Sequence, residues 1–531
     1  ERLGGVAGNA GLFASADDLA AFAQALLAGG KPILKSSTVA RMWAPQTPPT
    51  VPTRGLGWRL DAPLAANRAA LPPLGAASHL GYTGTGLWLD PLHQVYVVVL
   101  SSRLHPDEHG DAGPLRAKVV ATVADALGDL PPERLLKAHP DWTPRIAPYL
   151  PKAVPAPVLA GIDVLAASDF SALQGLRVGL LTHRAGVDGA GRRSIDALYA
   201  APGVTLAALF SPEHGLSGDR EGKIGNDTDA RTGLPVYSLY GATRRPTPEM
   251  LAGLDALVVD LQDVGTRFYT YASTLGYVME AAAEQGLPVL VLDRPNPLGG
   301  EAVQGPLLDP ERRSFTGYWP LPVRHGMTLG ELARLFAGET PIPVKLTVIP
   351  MAGYRRDLTY EDTGRPWLPP SPNLPSLAAT RLYPGVGMVE GAEVSVGRGT
   401  EHPFELVGAP WIDAPQLAAA LSALQLPGVT FAPDDFTPGT SRYTGLLCHG
   451  VRLTITDRQA LDTPALGVAL AATLYRLYPE RFTLDRLLGN MGSQAVLDAI
   501  GAGQDWREIR RLWLADLAAF EAVRRKYLLY P

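Results

Sequence analysis

Three short runs in the middle of the chain combine carboxylates and amides with residues that fix or free the backbone. Ser211-Pro212-Glu213-His214-Gly215 places a glutamate between a proline, which locks φ, and a glycine, which permits a sharp turn. A carboxyl held in a partly apolar cleft keeps its proton to higher pH and can donate it near neutrality, so Glu213 is the leading candidate acid. Its competing roles are a helix cap or a partner for Arg220. In the second run, Asp260 and Asp263 flank Gln262 and precede Arg267 and Tyr269. Either aspartate is a candidate second carboxylate facing Glu213; the alternative is an Asp263–Arg267 pair at helical spacing. Tyr269 and Tyr271 suit a sugar platform or plain packing. The third run, Asp293-Arg294-Pro295-Asn296-Pro297, sets an amide between two prolines. Asn296 can donate to and accept from a ligand hydroxyl, unless the run is a structural loop with an Asp293–Arg294 contact.

Further along, Ser371-Pro372-Asn373 and the stretch from Glu390 to Thr400 stand out. Arg398 lies between Gly397 and Gly399, which would let the guanidinium approach an anion closely. His214 and His325 are isolated and suit hydrogen bonding better than metal ligation. No glycine spacing suits a dinucleotide and no Walker-type lysine occurs, so no cofactor and no metal are expected.

What positions these runs is the element that precedes each. Val204–Phe210, Ala256–Val259 and Pro288–Leu292 read as strands, as does Leu176–Leu181, and helical patterns alternate with them (Tyr271–Gln285, Leu329–Ala337). Strand, helix, strand in this order predicts a doubly wound parallel sheet. All three runs then leave its carboxyl edge, where open α/β sheets bind ligands. From residue 343 on, helices at Pro415–Leu424 and Pro464–Tyr478 mix with a strand at Val451–Ile455, which reads as a second α/β domain. Before residue 127, a helix capped by Ser15, a strand pair (Gly86–Asp90, Gln94–Leu100) and a helix from Arg116 to Leu127 form a separate segment. Seven prolines between 131 and 157 mark residues 128–157 as an extended linker. The expected domains are therefore 1–127, 158–342 and 343–531.

The 531 residues carry 47 basic and 52 acidic side chains, a near-balance that argues against a nucleic-acid partner. The single cysteine, Cys448, excludes an internal disulfide and a thiolate metal cluster. No apolar run is long enough for a membrane span. The chain opens at Glu1 without Met or a signal-peptide pattern, as a fragment beginning inside a domain would.

Taken together, the three runs, Arg324-His325-Gly326-Met327-Thr328, Ser371-Pro372-Asn373, Glu390 to Thr400 and the terminal Tyr527-Leu528-Leu529-Tyr530 closely resemble the exo-β-N-acetylmuramidase family of glycoside hydrolases, across residues 158–531. The resemblance implies a Rossmann-like domain and a second α/β domain with the active site between them. It also implies release of N-acetylmuramic acid from non-reducing ends of peptidoglycan fragments, with the catalytic glutamate at Glu213. Muramic acid carries a lactyl carboxylate, for which Arg398 or Arg267 would serve. The candidate site thus comprises Glu213, Asp263 and Asp260 as catalytic groups, with His214, Arg267, Tyr269, Asn296, His325, Asn373, Glu390 and Arg398 binding substrate. Such a substrate suggests a periplasmic or secreted protein, with cytoplasmic recycling as the alternative.

Residues 1–127 resemble the carboxyl-terminal part of serine β-lactamase and penicillin-binding-protein-like hydrolases, through Ala7–Leu19 and His79-Leu80-Gly81-Tyr82-Thr83-Gly84-Thr85. His79 or Tyr82 falls near that family's basic position. No Ser-x-x-Lys and no Tyr-x-Asn lies in this segment, so this incomplete α+β fragment is expected not to acylate anything. Two other functions stay open at this point: a peptidoglycan-binding module without catalysis, and a serine acyl hydrolase in a longer fusion.

Overall fold

The computed structural model describes residues 13–47, 53–60, 76–104, 109–127, 137 and 157–531, and the chain divides into two units, 1–153 and 154–531. In the first unit, β1 (Ala77–Leu80), β2 (Gly86–Asp90) and β3 (Val95–Val99) form an antiparallel sheet in that order. Its alternate side chains enter two clusters. Trp88, Val97 and Val99 meet Val120 and Ala124 of the helix Gly113–Leu127. Leu87 and Leu89 meet Ala23 and Leu26 of the helix Ala16–Leu27. That helix begins as predicted, with the Ser15 hydroxyl accepting from Asp18 N at 3.2 Å and the Asp18 carboxylate accepting from Ser15 N at 2.9 Å. The Ala7–Leu12 part of the β-lactamase-like resemblance lies outside the described residues. So does the expected linker 128–157, Lys137 and Pro157 excepted.

The second unit is built on β4 (Arg177–Thr182), β5 (Thr205–Ser211), β6 (Asp227–Thr228), β7 (Pro235–Ser238), β8 (Ala256–Asp260) and β9 (Val289–Leu292), followed by β10 (Gln304–Leu307), β11 (Pro322–Arg324) and β12 (Leu346–Ile349). Seven strands make one sheet in the order β12-β9-β8-β4-β5-β7-β6, all parallel except β6. The chain runs outward from β4 through β5 to β7, then returns beside β4 at β8 and runs outward on the other side. This is the doubly wound Rossmann order, and its reversal point lies between β4 and β8. Consecutive residues of β8 explain why it must be covered twice: Ala256 and Val258 enter one core cluster, Leu257 and Val259 the other.

β12 pairs with β9 from Leu346↔Val289 to Ile349↔Leu292, so the parallel sheet extends past the boundary expected at residue 342. Beyond β12 the chain builds a three-stranded antiparallel sheet, with β15 (Cys448–Ile455) between β13 (Leu406–Ala409) and β14 (Val429–Phe436), packed with helices such as Leu377–Val386 and Thr463–Leu477. This antiparallel half has no separate main core. Val407, Val451 and Leu466 belong to the cluster that includes Val259 of β8 and Phe336. Among the described residues no helix is long and apolar enough to cross a membrane.

Candidate active site

Beyond β5 the backbone turns at once: Gly215 N donates to the Pro212 carbonyl at 3.1 Å, with His214 and Gly215 both left-handed (φ 71° and 75°). A non-glycine residue in that region is strained, and here the strain is held by a bond between His214 Nδ1 and the Arg220 carbonyl at 2.9 Å. The turn lifts Glu213 off the end of β5 and half-buries it. Thr270 Oγ1 donates to Glu213 Oε2 at 2.6 Å, and the Tyr271 phenol lies 3.2 Å from the Glu213 carbonyl and 2.9 Å from that of Pro370. Thr270 is the N-cap of the helix Tyr271–Glu284, yet its hydroxyl caps no backbone N–H of that helix. The hydroxyl is committed to the glutamate instead. Tyr240, just beyond β7, has its phenol pushed up to about 12 by burial and by the neighbouring Glu213 carboxylate.

Around this acid lies a charged cluster, with Arg398 and Glu390 from the antiparallel half and Glu221 from the loop between β5 and β6. Arg398 is ion-paired through Nε with Glu390, and its Nη1 lies 3.8 Å from Glu221 Oε1. The same Glu221 oxygen accepts from Asn373 Nδ2 at 2.6 Å. Gly397 and Gly399 are both left-handed, and a Cβ on Gly399 would stand 2.2 Å from Thr440 N, so the close turn carrying Arg398 requires glycine. Burial raises the Tyr383 phenol, and Glu390, Glu213 and Asp263 raise it further, against Arg398. The two halves therefore converge at Tyr383. Glu390 also lines a hollow of about 470 Å³ together with Ser395, Ser441 and Arg442, and Arg442 makes no ion pair among the described residues.

Asp263 occupies the layer behind. Its Oδ2 accepts from Gly265 N at 2.8 Å, its Oδ1 is buried without a hydrogen-bond partner, and burial pushes its carboxyl up to about 7. His325 Nε2 is 3.8 Å away, too far for a hydrogen bond. His325 Nδ1 accepts from Met327 N at 3.2 Å, and burial, then Arg524 and Arg324, draw the ring down to about 3, so the imidazole is neutral. The Tyr269 ring, 4.6 Å from that of Tyr271 between centroids, lies close enough for Asp263 to raise its phenol, after burial and Tyr271.

Three candidates are placed elsewhere by the fold. Asp260 is fully buried and accepts from Arg294 Nε at 2.5 Å and Nη2 at 2.8 Å, and also from the Ser194 hydroxyl. Its oxygens are spent on joining β8 to the loop after β9. Arg294 thereby pairs with Asp260 and not with Asp293. Arg267 is buried with four carbonyl acceptors, Pro306 and Leu321 at Nη1 and Asn490 and Met491 at Nη2, and pairs with neither Asp263 nor a cleft anion. Asn296 donates to the Met327 carbonyl and accepts from Leu298 N, both at 2.9 Å, which uses its amide to shape a loop. Arg220 pairs with Asp227 at 3.4 Å and leaves Glu213 free of it.

Comparison with known proteins fits this architecture. The profile described as exo-β-N-acetylmuramidase NamZ, N-terminal, matches residues 178–378, and the corresponding C-terminal profile matches residues 381–530. The peptidoglycan β-N-acetylmuramidase NamZ of Bacillus subtilis (strain 168) is 46% identical over 381 residues, covering 70% of this chain and 91% of that protein. The chain belongs to the exo-β-N-acetylmuramidase NamZ family.

A DUF1343 family crystal structure from Bacteroides fragilis superposes on this NamZ-family chain with a TM-score of 0.66 at 38% identity, covering 70% of the chain and 99% of that structure. A second from the same organism gives 0.59 at 32% identity. A β-lactamase profile matches residues 2–121. A putative D-alanyl-D-alanine carboxypeptidase of Salmonella typhi is 34% identical over 113 residues, which span 25% of that protein. Within the NamZ-family unit, Thr270, Tyr240, Glu221 and Arg442 escaped the sequence reading. Thr270 was within reach, because it closes the run that begins at Asp260. Tyr240 was not, because β7 has only four residues, starts with proline, and gives no strand pattern.

Proposed function

We propose that the second unit is a glycoside hydrolase that releases N-acetylmuramic acid from peptidoglycan fragments, with Glu213 as its general acid. The carrying observation is the placement of Glu213. It lies at the carboxyl edge of β5, held by Thr270 with Tyr240 as a neighbour, and faces the charged pair contributed by the antiparallel half. In this reading Glu213 protonates the leaving oxygen as the sugar ring acquires oxocarbenium character. Glu390 is the second carboxylate, because it is half-buried and lines a hollow, whereas Asp260 and Asp263 are both buried away from solvent. Arg398 is already matched by Glu390 and Glu221, and Arg442, which lines the hollow beside Glu390 without an ion pair among the described residues, is the cation assigned to the lactyl carboxylate. A peptidoglycan substrate also favours a periplasmic or secreted location.

The test is release of chromophore from a chromogenic N-acetylmuramic acid glycoside. Glu213→Gln is expected to lower kcat/KM by about 10²–10⁴-fold with unchanged thermal unfolding. Near-normal turnover in that variant would remove Glu213 from the mechanism, and binding without turnover by the unaltered chain would favour a non-catalytic wall-binding module.

A further inference from the structure

A second hollow, of about 430 Å³, opens where the loop after β9, the end of β11, the helix Leu377–Val386 and residues 458–463 meet. Arg324, Arg356, Arg381 and Arg458 line it, against Glu301 and Asp357. Glu301 is exposed at the surface without an ion pair among the described residues, and the other acids nearby are spoken for. Glu331 is held by Arg356, and Asp357 accepts from Arg355 at 3.0 Å. One carboxylate, Glu361, serves both Arg381 and Arg458, the latter at 3.7 Å. Arg324 has no ion pair among the described residues. Its Nη1 donates to Gln304 Oε1 at 3.0 Å and its Nη2 to the Leu298 carbonyl, both neutral acceptors, while its Nε is shut from solvent without a partner. A half-buried cation so placed is costly unless an anion completes it. Burial draws Arg324 down to about 10, and the like charge of Arg381 acts in the same direction against Asp462.

We propose that this hollow is a binding site for an organic anion, whose carboxylate or phosphate oxygens are held by Arg324 and Arg381, with Arg458 at the rim. Forked guanidinium groups match either oxyanion. The volume exceeds what an inorganic ion fills and falls in the range of small-molecule sites. The site is separate from the Glu213 cluster. Arg381 and Tyr383 share the helix Leu377–Val386 two residues apart, and side chains at that spacing point to different faces. Tyr383 turns to Glu213 and Arg398, and Arg381 to the hollow.

Calorimetric titration of the full chain, in a zwitterionic buffer, with succinate and separately with inorganic phosphate tests this. Saturable binding of either probe is expected, weakened about tenfold or more in Arg381→Gln and Arg458→Gln. Succinate alone binding marks a carboxylate ligand, and phosphate alone a phosphorylated one. Arg458 is exposed, so its variant carries the comparison should Arg381→Gln fold poorly. Arg442→Gln is expected to bind as the unaltered chain does. Absence of saturable heat with both probes would overturn the proposal, as would equal affinity in Arg458→Gln or loss of binding in Arg442→Gln, which would place the anion beside Glu390.

Discussion

Thr270 orients Glu213 through one short hydrogen bond, and that bond replaces the cap which a threonine at a helix start ordinarily makes. Removing the hydroxyl while keeping the shape therefore isolates positioning from packing. Thr270→Val is expected to lower kcat by about tenfold with little change in KM or unfolding temperature, read from glycoside hydrolysis and a thermal melt. An unchanged kcat would mean that this bond does not position the acid.

Asp263 and His325 make a different statement at the same scale. Asp263 titrates near 7 in the fold against an ordinary value of 3.8, so between those values the native state binds the extra proton. Its contribution is full below pH 4 and is lost as pH climbs through 7. His325, drawn down to about 3 from 6.5, acts oppositely and costs stability as pH falls below 6.5. The two groups lie 3.8 Å apart and are both largely neutral across pH 4–6.5. Asp263→Asn keeps an acceptor for Gly265 N and removes the first titration. Relative to the unaltered chain it should gain stability between pH 4.5 and pH 8, by at most on the order of 4 kcal/mol, in urea unfolding at the two pH values. A difference independent of pH would show that Asp263 is ionised throughout. Glu213 was legible because Pro212 and Gly215 frame it. Its supports were not, because a hydroxyl becomes a positioning group only through a contact made across 57 residues of sequence.

At the scale of elements, the runs that identified the family are mostly scaffold. Asp293 accepts from the Tyr530 phenol at 2.6 Å, from Thr328 Oγ1 at 2.7 Å and from Gly330 N at 2.8 Å, which ties the chain end and the helix Leu329–Glu339 to the end of β9. Arg294 reaches back from the same loop to Asp260 at the end of β8. Breaking this buried pair from one side leaves an uncompensated charge, so Arg294→Met should cost about 3–5 kcal/mol in denaturant unfolding. Arg220→Ala, which breaks an exposed pair, should cost under about 1 kcal/mol. Equal costs would mean that Asp260 is solvated or protonated in the fold. The strands β4, β5, β8 and β9 could be read from their apolar runs, and with them the carboxyl edge. The domain boundary could not. Whether Leu346–Ile349 extends the first sheet or opens a second depends on its partner, and Val289–Leu292 is distant in sequence. Asp260 and Asp263 show the same limit: three residues apart, one ending β8 and the other in the loop after it, they differ in role because Arg294 reaches only Asp260.

For the whole molecule, the question is what the first unit contributes to the chemistry of the second. Each hydrophobic cluster among the described residues draws its members from a single unit: Trp88 and Val120, or Leu26 and Leu89, in one, and Val259 with Val451, or Leu180 with Leu292, in the other. A unit with its own continuous core folds on its own account. Every residue of the proposed muramidase site, and every residue lining the arginine-rich hollow, lies between 183 and 531. Residues 157–531 expressed alone are therefore expected to unfold in a single cooperative transition and to hydrolyse the chromogenic glycoside with kcat/KM within about twofold of the full chain. The full chain should in turn remain unlabelled by a fluorescent β-lactam, because residues 1–127 contain neither Ser-x-x-Lys nor Tyr-x-Asn. A tenfold loss of hydrolysis in the shortened chain, with its melt intact, would mean that the first unit takes part in binding the sugar chain.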